Sequence, residues 1–280
     1  MFLDPLLMVW LPLLASILCL FFSKERAAFC LLFITLVVAM VFGRLELLGA
    51  VSVMAGIGLA YGIRFLPEKI RFIGHGLVLL WCIALFLHLP PGFNNLKVLD
   101  QVLTGEMSIP FSMHINLDKP LALFALFIAY PGLLGNRTNL DLLKLALVSL
   151  ATLALLPIAW QLGALKPEWS LPSWWWLFVL NNLLLTCVAE EALFRGYIQQ
   201  GLAKRFGWVI GLGAASLLFG LAHMAGGAML VIFASLAGVG YGLAFYFSSR
   251  LWVAVALHFL FNLCHLLFFT YPMLSASPAQ

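Results

Sequence analysis

Two carboxylates and a guanidinium interrupt an otherwise apolar stretch of this chain, Val188-Ala189-Glu190-Glu191-Ala192-Leu193-Phe194-Arg195. Further on, His223 closes the run Phe219-Gly220-Leu221-Ala222-His223, and His258, Asn262 and His265 share one hydrophobic segment. Ionisable groups inside apolar segments are costly to bury and by default mark function. Spacing sorts them into roles. Glu191 and Arg195 are four apart, lie on one helix face and can pair. Glu190 points about 100° away and is left without that partner. A carboxylate in low dielectric with no full counter-charge can serve as a base near neutral pH. His258, Asn262 and His265 follow i, i+4, i+7 spacing and form one stripe, which in so apolar a segment should face a cavity. His265, near the far end, reads as a hydrogen-bonded packing residue.

Depth agrees with a single site. Lys204-Arg205-Phe206-Gly207 reads as a turn, and it lies midway between Glu190 and His223. In a helical hairpin both side chains would then sit about 25 Å along their helices from that turn. His258 follows Arg250 by eight residues, or about 12 Å of helix. The residue types narrow the chemistry. No Asp lies at the centre of an apolar segment, which excludes a paired-aspartate protease. Neither GxSxG nor HExxH occurs, which removes the nucleophile-elbow hydrolase and the HExxH zinc protease. A Glu base with two His can activate water, direct it at a peptide carbonyl, and stabilise the oxyanion through imidazole and Asn hydrogen bonds. The same stripe could line a proton-coupled transporter or a non-hydrolytic binding protein. Transporters often carry inverted repeats; here the polar groups are confined to the last third of the chain, which favours the enzyme.

The elements that must position these residues follow from composition. Of 280 residues, 64% are hydrophobic and only 26 are Lys, Arg, Asp or Glu, where a soluble domain carries about 25% charged residues. So few charges cannot cover a surface in water, which excludes a soluble enzyme, a nucleic-acid partner and a disordered scaffold. The expected fold is an all-α polytopic transmembrane bundle, because helices satisfy their own backbone in hydrocarbon. Apolar runs near 5–22, 27–42, 47–63, 72–89, 120–134, 143–162, 174–190, 208–222, 227–247 and 251–270 predict about eight to ten spans. The fifth is short and holds Pro131, so it is expected to be kinked or partly re-entrant. The first follows Asp4 and lacks a small-x-small site, so it reads as a retained span and not a signal peptide. The five cysteines lie in apolar runs with no CxxC spacing and read as buried hydrophobes.

Basic residues collect in cytoplasmic loops. With the N-terminus outside, ten fall inside (Lys24, Arg26, Arg64, Lys69, Arg71, Arg137, Lys144, Lys204, Arg205, Arg250) and four outside (Arg44, Lys97, Lys119, Lys166). Both termini are therefore expected on the non-cytoplasmic side. The polar stretch 90–119 reads as an external, partly interfacial loop, although Phe111, Met113 and Ile115 alternate with polar residues. Trp174-Trp175-Trp176 fits an interfacial belt. Residues 1–170 form an N-terminal membrane region and 171–272 the site-bearing core.

Glu190-Glu191-xxx-Arg195, Phe219-xxx-His223 and His258-xxx-Asn262, in this order on successive apolar segments, resemble the three motifs of the CAAX protease and bacteriocin-processing (CPBP) family. This family includes type II CAAX prenyl endopeptidases and abortive-infection proteins, and the resemblance spans roughly 172–270. It implies an intramembrane glutamic-type endopeptidase in which Glu190 activates water and His223, His258 and Asn262 complete the catalytic set, with Glu191, Arg195 and Phe219 in support. A zinc-dependent alternative would use Glu190, His223 and His258, one Glu and two His with an open fourth position. No carboxylate lies near either His in sequence to orient a zinc-bound ring, so no cofactor is expected, with Zn2+ as the alternative. The implied partners are membrane lipid and a membrane-anchored or lipidated peptide. The short loops read as those of a bacterial inner-membrane protein.

Overall fold

A computed structural model describes residues 5–135 and 140–275; Asp4 and Arg137, used in the topology argument, lie outside the described residues. Every apolar run is helical. In chain order the elements are α1 (Pro5–Phe21), α2 (Glu25–Val41), α3 (Leu47–Gly62), α4 (Arg71–Phe86), β1 (Leu96–Val102), β2 (Phe111–Ile115), α5 (Asp118–Ala129), α6 (Leu142–Leu153), α7 (Leu155–Gln161), α8 (Trp175–Leu180), α9 (Val188–Glu191), α10 (Gln200–Phe206), α11 (Trp208–Leu221), α12 (Ala228–Ser248) and α13 (Leu251–Phe268). Two π-helical stretches, Asn181–Cys187 and Ala192–Gln199, join α8, α9 and α10 into one helix, Trp175–Phe206. Among the described residues, six helices are long and apolar enough to cross a membrane, and Met8–Phe21 and Trp208–Leu221 are shorter apolar helices. The chain is an all-α, multi-pass membrane protein. Large apolar side chains such as Phe33, Leu47, Phe72, Leu142 and Leu150 point outward, as hydrocarbon permits and water does not.

The chain divides into two compact units. The first comprises Met1–Leu96, Ile115–Pro131 and Leu184–Ala189. Here Ser16 donates to the carbonyl of Ala28 (2.6 Å), and the Trp81 indole donates to the carbonyl of Ser52 (3.1 Å), so neighbouring helices are tied by side chains to backbone. The α5 segment ends at Ala129, two residues before Pro131, whose preceding residue is pushed out of helical geometry. At 12 residues it is about 18 Å long, too short to cross the membrane, and it is buried on nearly every side. Its first residue, Asp118, is buried and meets the His88 imidazole and the Asn95 amide (3.2 Å). Sequence reasoning overlooked this cluster because Asp118 and Asn95 flank a loop and not a span.

The second unit comprises Lys97–His114, Gly132–Leu183 and Glu190–Gln280, so residues 132–170 group with the site-bearing segments rather than with the N-terminal region. Its axis is α12, packed by α6, α11 and α13. Small residues make this possible: a Cβ on Gly220 of α11 would stand 1.9 Å from the Ser235 hydroxyl and 2.6 Å from the Val231 carbonyl on α12. Close backbone approach over small residues is how helices associate where lipid removes the hydrophobic drive. The stretch read as an external loop holds β1 and β2, a two-stranded sheet, so the short alternation at Phe111–Ile115 was a strand signal. Glu168 anchors the connection between the strands, accepting from the Met107 amide (2.8 Å) and the Ser108 hydroxyl (2.6 Å). Beneath the sheet, Met113, Phe178 and Leu266 form a buried cluster.

The glycine contact predicts a stability difference within one helix. Gly220→Ala should destabilise by about 1–3 kcal/mol, because Val231 offers a rigid backbone atom to the new methyl group. Gly213→Ala, with open space around its Cβ, should be neutral or stabilising by up to about 1 kcal/mol. Thermal unfolding of the two variants in the same detergent checks the contrast; equal melting temperatures would refute the tight α11–α12 contact.

Candidate active site

All the site residues expected from sequence lie in the second unit. Glu190 and Glu191 occupy the short α-helical turn between the two π-helical stretches. Such wider turns, with i→i+5 bonding, are often found at functional sites. The Lys204-Arg205-Phe206 end of the helix turns at a single residue, Gly207, with φ +90°. That left-handed conformation suits glycine and sends α11 back beside the helix it leaves.

Glu191 and Arg195 pair as their spacing predicted, with Nη1 donating to Oε1 at 3.0 Å. Both side chains are 0% exposed. The same Oε1 meets His258 Nδ1 at 2.8 Å, so one oxygen holds a guanidinium and an imidazole. Arg195 Nη2 donates to the Gly238 carbonyl at 3.0 Å. One turn along, Gln199 Nε2 donates to the Gly242 carbonyl at 3.0 Å. The two donors and the two glycines are each four residues apart, so the π-helical stretch and α12 run in the same direction with two parallel rungs between them. A Cβ at position 238 would lie 3.1 Å from Arg195 Nη2 and 3.2 Å from the Ser216 Cα, which leaves little room for anything but glycine.

Glu190 differs from its neighbour. Its side chain is 16% exposed, and its Oε2 lies 3.9 Å from His258 Nε2. That separation is too long for a direct hydrogen bond and is suited to a bridging water. The two carboxylates therefore address opposite nitrogens of one imidazole, Glu191 the inner and Glu190 the outer.

His223 follows the end of α11, its Nδ1 donating to the Phe219 carbonyl at 2.8 Å. A carbonyl only accepts, so Nδ1 carries the proton and Nε2 is the nitrogen left for chemistry. Phe219 links the two histidines: its ring centroid is 4.8 Å from that of His223 and 5.5 Å from that of His258. The Arg195 guanidinium sits 4.5 Å above the same ring. Asn262 lies one turn along α13 from His258 and donates to Asn182 Oδ1 at 3.2 Å. His265, read from sequence as a packing residue, has its Nε2 3.1 Å from the Thr270 carbonyl.

Sequence reasoning missed three contributors. Asn182 follows Asn181 at the start of the first π-helical stretch, a polar pair that signals a second polar stripe. Tyr241 stacks on His258, and nothing in Gly238-Val239-Gly240-Tyr241-Gly242 sets it apart from packing residues. The third is the role of Glu191. A carboxylate does orient His258, contrary to the expectation that none lay beside it; the contact closes across 67 residues and is invisible to local spacing.

That correction bears on zinc, because a ligating His usually donates its other nitrogen to a carboxylate or carbonyl, as His258 and His223 do. The remaining requirement is that three donors converge within about 2.0–2.2 Å of one point. Among the described residues, no group of three or more His, Cys, Asp or Glu is arranged to hold a metal, so Glu190, His223 and His258 do not meet it here.

Residues 172–264 match the family model described as Type II CAAX prenyl endopeptidase Rce1-like. No curated protein and no solved structure matches the chain. The matched residues include all three motifs, from Glu190 to Asn262, and exclude the first unit's N-terminal helices. Over residues 172–264, about a third of the chain, the protein is therefore similar to the type II CAAX prenyl endopeptidase Rce1-like family, and these residues carry all three motifs.

Proposed function

We propose that this chain is an intramembrane endopeptidase that cleaves near the C-terminus of a lipidated, membrane-anchored peptide with a water activated by Glu190. The family match supports the CAAX-type protease. The observation that carries the mechanism is the asymmetry of the two glutamates around His258. Glu191 is neutralised by Arg195 and buried; Glu190 is partly exposed, is unpaired with the guanidinium and lies 3.9 Å from Nε2, a separation that one water bound beside both atoms can bridge.

In this reading a water held between Glu190 Oε2 and His258 Nε2 loses its proton to Glu190 as its oxygen attacks the scissile carbonyl. Glu190 then returns that proton to the departing amine, so the carboxylate ends ionised and the peptide bond is replaced by a carboxyl group and an amine. Asn262 stabilises the oxyanion through its amide. Both histidines point Nδ1–H into the scaffold, so each donates to the oxyanion through Nε2 only as an imidazolium. The apolar exterior of the helices would admit a prenyl or acyl chain from the bilayer while the peptide reaches the polar cluster. A bacterial inner membrane remains the proposed location, in keeping with the short loops.

Two experiments test this. Glu190→Gln should lower cleavage of a prenylated CAAX-type reporter peptide in reconstituted vesicles by a factor of about 10²–10⁴, with unchanged thermal unfolding; wild-type-like cleavage by the variant would exclude Glu190 as the base. Purified protein stripped with a chelator, its zinc measured by elemental analysis, should retain full activity. Activity that falls with zinc content and returns on zinc addition would establish the metal-dependent alternative.

A further inference from the structure

The hydrogen bond to Glu191 fixes only one atom of the His258 ring. An imidazole's terminal torsion is broad, so the ring can pivot about Nδ1 and carry Nε2 away from Glu190. A second restraint has to act on the face of the ring. The structure supplies it at Tyr241, whose ring stacks on His258 with centroids 4.5 Å apart and planes 14° from parallel. Phe219 meets the imidazole edge-on, at 87°, and also meets Tyr241 at 82° and 5.9 Å. The Arg195 guanidinium lies 5.3 Å from the Tyr241 ring, so both residues that donate to Glu191 Oε1, Arg195 and His258, rest on the same tyrosine. Tyr241 is 1% exposed, buried behind His258 and out of reach of a substrate.

We propose that Tyr241 is a positioning residue whose stacked ring sets the direction of His258 Nε2. The kinetic consequence rests on the protease reading above; the orientation of the imidazole does not. A misplacement of about 1 Å at a reacting group can cost on the order of 10²-fold; Phe219 and Glu191 limit the loss here. Removal of the Tyr241 ring is expected to lower kcat about tenfold, equivalent to about 1.36 kcal/mol, and to leave KM unchanged.

The test pairs a spectroscopic measurement with a kinetic one on the full-length protein in detergent or vesicles. In His-labelled protein the Cε1–H signal of His258, identified by its loss in His258→Gln, should be shifted upfield by the Tyr241 ring current. Tyr241→Leu should abolish that shift and the tenfold share of kcat, and Tyr241→Phe should restore both, kcat to within about twofold. If the leucine variant does not fold, Tyr241→Met fills the space without a ring and serves in its place. The proposal is overturned by a His258 signal at an unstacked position in the wild type, by leucine or methionine variants with wild-type kcat, or by a phenylalanine variant as impaired as leucine. If the wild type does not cleave the prenylated reporter, the protease reading fails instead, and the His258 signal alone decides the role of Tyr241.

Discussion

Arg195 is fully buried in a membrane helix, and the second unit is arranged around that fact. A guanidinium cannot lose its charge, so every partner has to be supplied by the fold. Glu191 Oε1 and the Gly238 carbonyl accept from it, and the faces of Phe219 and Tyr241 lie against it. Each demand restricts a sequence position: a carboxylate at 191, no side chain at 238, aromatic rings at 219 and 241. Breaking a buried pair by removing one member costs about 3–5 kcal/mol, so these positions are coupled through stability before any reaction is considered. His258 enters by sharing the oxygen that Arg195 already holds.

This coupling divides labour between two adjacent carboxylates of the same chemistry. Glu191 is committed to the guanidinium and the inner nitrogen of the imidazole. Glu190, rotated about 100° on the helix, escapes the pairing and keeps some exposure. The Glu-Glu-xxx-Arg spacing thus places a buried, ion-paired glutamate and a partly exposed one side by side.

The parts of this site that depend on local periodicity were legible in sequence. The Glu191–Arg195 pair, the His258–Asn262 stripe and the turn at Gly207 follow from four-residue spacing and from glycine beside a charged pair. The helical runs were legible because hydrocarbon demands continuous apolarity. What escaped depends on contacts between distant segments. Asn182 meets Asn262 across 80 residues, and Glu191 meets His258 across 67. Tyr241 stacks on a residue of the next helix, and an aromatic in an apolar run carries no mark of what it faces. The π-helical stretches also escaped, since their residues are ordinary helix formers and the wider coil follows from packing. The β1–β2 sheet was visible only as three alternating residues, fewer than periodicity needs to decide.

The paired rungs from Arg195 to Gly238 and from Gln199 to Gly242 act as a register lock. Because donors and acceptors both repeat every four residues, sliding one helix by a turn would match just one donor to a glycine carbonyl and strand the other beside a side chain. In hydrocarbon the stranded amide or guanidinium has no water to turn to, so intermediate positions are ruled out together with the shifted one. The glutamate-bearing helix and α12 therefore behave as a single rigid bar, and any widening beside them must be found by displacing other walls around it.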